Sequence, residues 1–175
     1  KNDINSELIK KSEITLLEGY LWDEGEPKSA FDKAINNSNK IAMSLSDLFC
    51  VERHKKHFLK LVKNELDIIF ANEQEILSLI DCKSINDAIS FSKELGKNIV
   101  ITRGEKGSIA INKKEVVEHP ARENLDLIDL TGAGDLFAAG YLHGQINNLS
   151  SKECLIKGTE LSSKVIQQFG ARIKN

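Results

Sequence analysis

Short apolar runs alternate with amphipathic stretches along the first hundred residues. Ile14–Leu17, Ile41–Leu45, Asp67–Ala71 and Asn98–Thr102 are rich in β-branched and large apolar residues, the pattern of buried strands. Pro27–Ile35, between the first two, carries its proline where a first helical turn tolerates one, and His57–Val62 has helical spacing between the second and third. Two more helices are predicted over Glu73–Ile80 and Ile85–Leu95, the second behind Ser84 as N-cap and ending at Gly96. The rhythm then changes to Ser108–Asn112 and Glu115–His119, joined by a polar link that reads as a hairpin. Two closing helices are expected over roughly 134–146 and 151–169.

Alternating strand and helix means parallel crossovers, so the expected class is α/β: a mainly parallel three-layer α/β/α sheet with an antiparallel hairpin at one edge. Residues 1–175 read as one domain portion, since 41% hydrophobic and 29% charged residues suit a single soluble core. The formal net charge of −2 supplies no basic field for nucleic acid. The compact basic cluster Arg53–His57 reads as a solvated helix face. No apolar run approaches the roughly 20 residues that cross a bilayer, and the three cysteines, Cys50, Cys82 and Cys154, lack paired spacing. A soluble cytoplasmic protein with reduced thiols is expected, with neither membrane nor nucleic acid as partner. The chain opens without an initiator methionine, and the amphipathic turn Glu7–Lys11 runs straight into the first apolar segment, from which a fragment or truncated product is expected.

In a sheet of this kind ligands bind beyond the carboxyl ends of the strands, which singles out four loops: Ser46–Phe49, Asn72–Glu75, Arg103–Gly107 and Asp129–Asp135. The last carries the most chemistry. Asp129-Leu-Thr-Gly-Ala-Gly-Asp135 precedes the apolar run Leu136–Leu142, so the amides of Gly132, Ala133 and Gly134 would converge at a positive helix end. Asp135 there could take a proton from an attacking alcohol. On spacing alone, a glycine-containing helix start with Asp135 as charge partner accounts for the loop equally well. Asn72 and Glu75 could be first-turn residues placed for the helix dipole, or could hold Mg²⁺ directly or through its waters. Thr102-Arg-Gly-Glu-Lys-Gly107 could bring main-chain groups to a phosphate or ribose, or be a glycine turn needing no ligand; it is not a Walker A loop. Cys50, Glu52, His54 and His57 are the rival zinc constellation, although a second ligand cluster is missing. Phe49, after a strand, could stack on a base or sit in the core.

Taken together, Asp129–Asp135 with the small-residue helix Phe137-Ala-Ala-Gly140, Asn72-x-x-Glu75 and Thr102-x-Gly104-x-x-Gly107 resemble the ordered motifs of the ribokinase-like (PfkB) carbohydrate and nucleoside kinases. Leu130 departs mildly from the family pattern. The resemblance implies ATP-dependent phosphorylation of a hydroxymethyl group on a sugar or nucleoside. Asp135 would be the base, Gly132, Ala133 and Gly134 the anion hole, and Asn72 with Glu75 the organisers of Mg²⁺ and phosphate. Thr102, Gly104 and Gly107 would line the ATP site, Thr159 beside Gly158 would approach the adenine, and Asp129 would sit near a monovalent cation such as K⁺. Asp67–Glu75 and Ser44–Phe49 look most like adenosine-kinase-type members, with Phe49 toward the acceptor. The resemblance spans the chain but only the C-terminal half of a full member, leaving out the first strands, the β lid and most acceptor-recognition residues. A full-length member could pair as a homodimer. A truncated, inactive nucleotide-binding module is the alternative.

Overall fold

The computed structural model describes residues 2–22 and 26–173. Its elements follow the order α1 (Ser6–Lys11), β1 (Thr15–Glu18), a 3₁₀ turn (Gly19–Trp22), α2 (Pro27–Ile35), β2 (Ile41–Ser44), α3 (Leu48–Asn64), β3 (Ile68–Asn72), α4 (Glu73–Leu79), α5 (Ile85–Leu95), β4 (Asn98–Thr102), a 3₁₀ turn (Gly104–Lys106), β5 (Ser108–Ile111), β6 (Val116–His119), α6 (Ala133–Ile146) and α7 (Ser151–Val165). The six strands hydrogen-bond in sequence order, β1-β2-β3-β4-β5-β6. β1, β2 and β3 run parallel, with Thr15 opposite Ile41 and Ala42 opposite Ile68. β5 and β6 belong to the antiparallel edge, and the Asn112 amide donates to the Glu115 carbonyl at 3.0 Å across the turn. The α/β class expected from the alternating pattern is therefore observed.

Two compact units divide the chain. The first comprises Lys1–Ile101 with Ile111–Glu115, the second Thr102–Ala110 with Val116–Asn175. In the first, Met43, Leu45, Phe58, Leu66, Ile68, Ile69, Ile76 and Leu79 are fully buried, which is why the middle strands read as unbroken apolar runs. In the second, α6 and α7 pack closely because glycines let the backbones approach. A β-carbon on Gly140 would lie 2.5 Å from the Lys157 carbonyl oxygen, one on Gly144 2.7 Å from Cys154 Sγ, and one on Gly158 2.9 Å from the Phe137 carbonyl oxygen. Gly140 and Gly144, in the middle and the last part of α6, thus have a packing reason.

Two expectations need correction. Ser46–Phe49 is not simply a loop before a helix at His57, because α3 already begins at Leu48 and is capped by Asp47, whose carboxylate accepts from the Cys50 amide at 2.6 Å. The apolar positions Cys50, Val51, Phe58, Leu61 and Val62 all fall on its buried side, and the basic cluster conceals that period; the helix kinks at His54. At the other end, α7 stops at Val165 rather than near Phe169. The Ile166 carbonyl accepts instead from the amides of Ile128 and Asp129, at 2.9 and 3.3 Å, and Phe169 is exposed. The segment that sequence periodicity assigns to helix is spent on holding the glycine loop.

Candidate functional site

In the first unit, β3 ends on Asn72, which caps α4. The Asn72 side-chain oxygen accepts from the Glu75 amide at 2.8 Å, while Glu75 accepts from the Asn72 amide at 2.9 Å and from its side-chain nitrogen at 2.6 Å. The Asn-x-x-Glu spacing is thus a complete capping box. Burial raises the Glu75 carboxyl above its ordinary range, reinforced by the negative charge of Asp47, while the Asn72 hydrogen bonds pull the other way. Glu75 and Asn72 fit a Mg²⁺ held through its waters: a carboxylate has roughly four acceptor positions, some still free, whereas direct ligation by Asn72 would compete with the cap. Among the described residues no group of three or more His, Cys, Asp or Glu could enclose a metal. The rival zinc constellation therefore does not assemble; His54 and His57 stand with their ring centroids 6.5 and 5.7 Å from that of Trp22.

The raised Glu75 carboxyl has a measurable consequence. A carboxyl whose folded pKa lies above its unfolded one adds stability that is complete below the unfolded pKa and is lost as pH rises through the folded value. Glu75→Gln keeps a capping-box side chain and removes the charge. Urea unfolding should show this variant losing less stability than the parent between pH 4.5 and pH 7. Equal pH slopes would contradict the burial account.

Phe49 lies in the first turn of α3 and is 74% exposed, so it is not a core residue. The carboxylate of its neighbour Asp47 accepts from the Cys50 amide at 2.6 Å, and although partial desolvation works the other way, the influence of Cys50, the Tyr20 phenol and the Phe49 amide keeps it below its ordinary range. Sequence inspection missed Tyr20 and Asp47 as a pair. The available signal was a small polar residue and an aspartate just ahead of an apolar period, an N-cap signature.

In the second unit, Asp129 ties the glycine loop together. One carboxylate oxygen accepts from the Thr131 amide and hydroxyl at 2.9 and 2.6 Å, and the other from the Gly170 amide at 2.9 Å. The Thr131 hydroxyl is the main reason its carboxyl sits below the usual range, followed by the Gly170 and Thr131 amides. Gly132 adopts a left-handed φ of 79°, and a β-carbon there would lie 2.7 Å from that of Ala171. The Ala133 amide donates to the Leu130 carbonyl at 3.1 Å. Of the three amides expected to form an anion hole, Ala133 is thus already engaged, and Gly132 and Gly134 have no backbone acceptor among the described residues. Gly134 has open space where a side chain would be, and Asp135 is exposed in the first turn of α6.

The Thr102–Gly107 loop belongs to the same unit. The Arg103 amide donates to the Gly107 carbonyl at 2.8 Å and the Gly107 amide to the Gly104 carbonyl at 3.0 Å, closing a tight turn. Gly104, with φ 57°, faces open space, whereas a β-carbon on Gly107 would lie 2.1 Å from the His119 carbonyl oxygen. Thr102 is half-buried at the end of β4. Thr159 is buried in α7, beside the packing glycine Gly158.

A family model described as pfkB family carbohydrate kinase matches residues 2–175. The chain belongs to this family. It is 31% identical to a cytidine kinase of Thermococcus kodakarensis over 119 residues, 66% of this chain and 42% of that protein. The structure of adenosine kinase from Sinorhizobium meliloti superposes with a TM-score of 0.94 at 36% identity, covering 98% of this chain and 54% of that one. A putative ribokinase II from E. coli, solved in complex with ATP and Mg²⁺, shares the fold at 16% identity with a TM-score of 0.85. The chain therefore spans about half the length of these relatives. Membership in the PfkB family bears out the resemblance carried by the three ordered motifs. No helix among the described residues is long and apolar enough to cross a membrane.

Proposed function

We propose that this chain supplies the nucleotide-binding and catalytic portion of an ATP-dependent kinase that phosphorylates a hydroxymethyl group of a nucleoside, adenosine-like, or of a sugar. The observation that carries it is the start of α6 in a PfkB-family chain, where exposed Asp135 stands one residue from open Gly134 on a loop pinned by Asp129. Asp135 would accept the hydroxyl proton of the acceptor as its oxygen attacks the γ-phosphorus. The Gly132 and Gly134 amides, at the positive end of α6, would stabilise the developing charge. Thr102 and Gly104 would contact the nucleotide, Gly107 would shape that turn, and Thr159 would lie toward the adenine. Asn72 and Glu75 would hold Mg²⁺ through water, where it would offset phosphate charge. A monovalent cation such as K⁺ would sit near Asp129. Phe49 would face the acceptor. The nucleoside preference is supported by the cytidine kinase and adenosine kinase among the similar proteins.

A coupled assay of ADP release, with Mg-ATP and adenosine, cytidine or ribose in turn, tests the proposal. Release that depends on an acceptor is expected. Calorimetric binding of Mg-ATP with no turnover of any acceptor would assign the chain instead to a nucleotide-binding module.

A further inference from the structure

The basic run at the middle of α3 divides its members between two surroundings. Lys55 pairs with Asp81, whereas Lys56 and His57 line a groove between α2 and α3. The cavity there has a volume of about 410 Å³, within the range of sites that hold a small organic molecule. Its apolar lining is Trp22, Ile35 and Leu61. Trp22 is 9% exposed and is held by the rings of Phe31 and Phe58, at centroid distances of 4.9 and 6.3 Å, so that side of the cavity is rigid. The same cavity is lined by Lys28, Lys56 and Lys60, all exposed. Among the described residues none of these three lysines enters an ion pair, although Asp32 and Glu65 line the groove with them.

These placements run against helix stability. Lys28 stands in the first turn of α2, at the positive end of the helix dipole, and that turn contains no acidic residue. Lys56 and Lys60 are four apart on α3, so like charges lie along one side of the helix. Asp32 follows Lys28 by four positions, the weaker order for an ion pair, and forms none among the described residues. Departures from local consistency gather where a protein binds something. Three ammonium groups against two carboxylates leave the lining positive, and the His57 imidazole adds to that charge when protonated. We propose that this groove binds a small phosphate monoester, with its anionic end among Lys28, Lys56 and Lys60 and its body over Trp22, Ile35 and Leu61. Lysines serve a phosphate as point charges, and a cavity of this size has room for a sugar-sized body besides. None of the lining residues belongs to the loops given above to ATP, Mg²⁺ or the acceptor, so this is a second site, and its occupancy does not depend on the phosphotransfer function.

The single tryptophan of the chain lines the groove, so its emission reports on occupancy. Titration with ribose 5-phosphate, followed by fluorescence and by calorimetry, should change Trp22 emission saturably, and ribose should not. Lys56→Gln and Lys60→Gln should each weaken binding about threefold, and together about tenfold, the scale of exposed charge contacts. Asp32→Asn, which removes a repelling carboxylate, should strengthen it about threefold. Lys63→Gln, on the same helix but outside the lining, should leave it unchanged. All four side chains are exposed, so the fold has little reason to respond. Emission unmoved by ribose 5-phosphate, or moved alike by ribose, overturns the site, and heat of binding without a change in emission places the ester elsewhere. A loss with Lys63→Gln as large as with Lys56→Gln also overturns it, because the attraction would then be the general charge of α3. So does binding indifferent to all four substitutions, the result expected if the ester occupies the phosphotransfer loops instead.

Discussion

Asp135→Asn should lower the kcat of acceptor-dependent ADP release by about 10³-fold, the middle of the range for a general base, with the KM for ATP changed by no more than a few-fold. Asparagine has the same shape and remains exposed in the first turn of α6, so the fold has little reason to respond. What it removes is one negative charge near a helix N-terminus, costing about 0.3–1 kcal/mol, and the ability to take a proton. The effect should therefore fall on kcat and kcat/KM together, the signature of an interaction made only in the transition state. Unchanged circular dichroism would show that the folded state persists. Turnover within tenfold of the parent would remove Asp135 from the base role and leave the glycine loop as an ordinary helix start. The two groups that bracket the loop then part company: Asp135 should govern rate, while Asp129, with both carboxylate oxygens engaged by Thr131 and Gly170, should govern whether the loop keeps its shape.

Much of the fold was legible because its strands are buried on both faces. Ile68, Ile69 and Ile99 to Ile101 have no exposed position to interrupt their apolar runs, and the crossovers between them follow from length and chirality. The pattern shows only the His57–Val62 part of α3, because the solvent side of the helix carries Arg53–His57, a run that hides the period connecting Cys50 to Phe58. The pattern carries α7 past its actual end for the opposite reason. Helical spacing persists through Phe169, but the Ile166 carbonyl is claimed by a loop about forty residues earlier in the chain, which local pattern cannot register. For the candidate site, the sequence identifies which residue types recur without saying which of them the fold itself requires. Asn72 and Glu75 show the difficulty, since a capping box and a cation-organising pair demand the same spacing.

In the two glycine motifs that distinction can be drawn, and it carries the second large prediction. Each motif contains one glycine that the fold needs and one that it leaves open: Gly107 against Gly104, and Gly132 against Gly134. Gly107→Ala should destabilise the chain by about 4 kcal/mol, combining the left-handed backbone with overpacking. A methyl group there would lie 2.1 Å from the His119 carbonyl oxygen and 2.8 Å from the Ala121 nitrogen, both main-chain atoms that cannot swing aside. Against a typical total of about 5–15 kcal/mol, this should appear as a clear fall in the urea midpoint, and the neighbouring Arg103–Glu118 ion pair at 3.3 Å is too exposed on the glutamate side to offset it. Gly104→Ala meets nothing within 4 Å and should cost only the backbone strain of its φ of 57°, about 1 kcal/mol. Its effect should instead appear in Mg-ATP affinity, because the open face of Gly104 is where a nucleotide could approach the main chain. The two substitutions thus separate scaffold from contact within one turn. A Gly107→Ala chain as stable as the parent would show that the turn can shift away from β6, and a Gly104→Ala chain with unaltered Mg-ATP affinity would move the nucleotide off this loop.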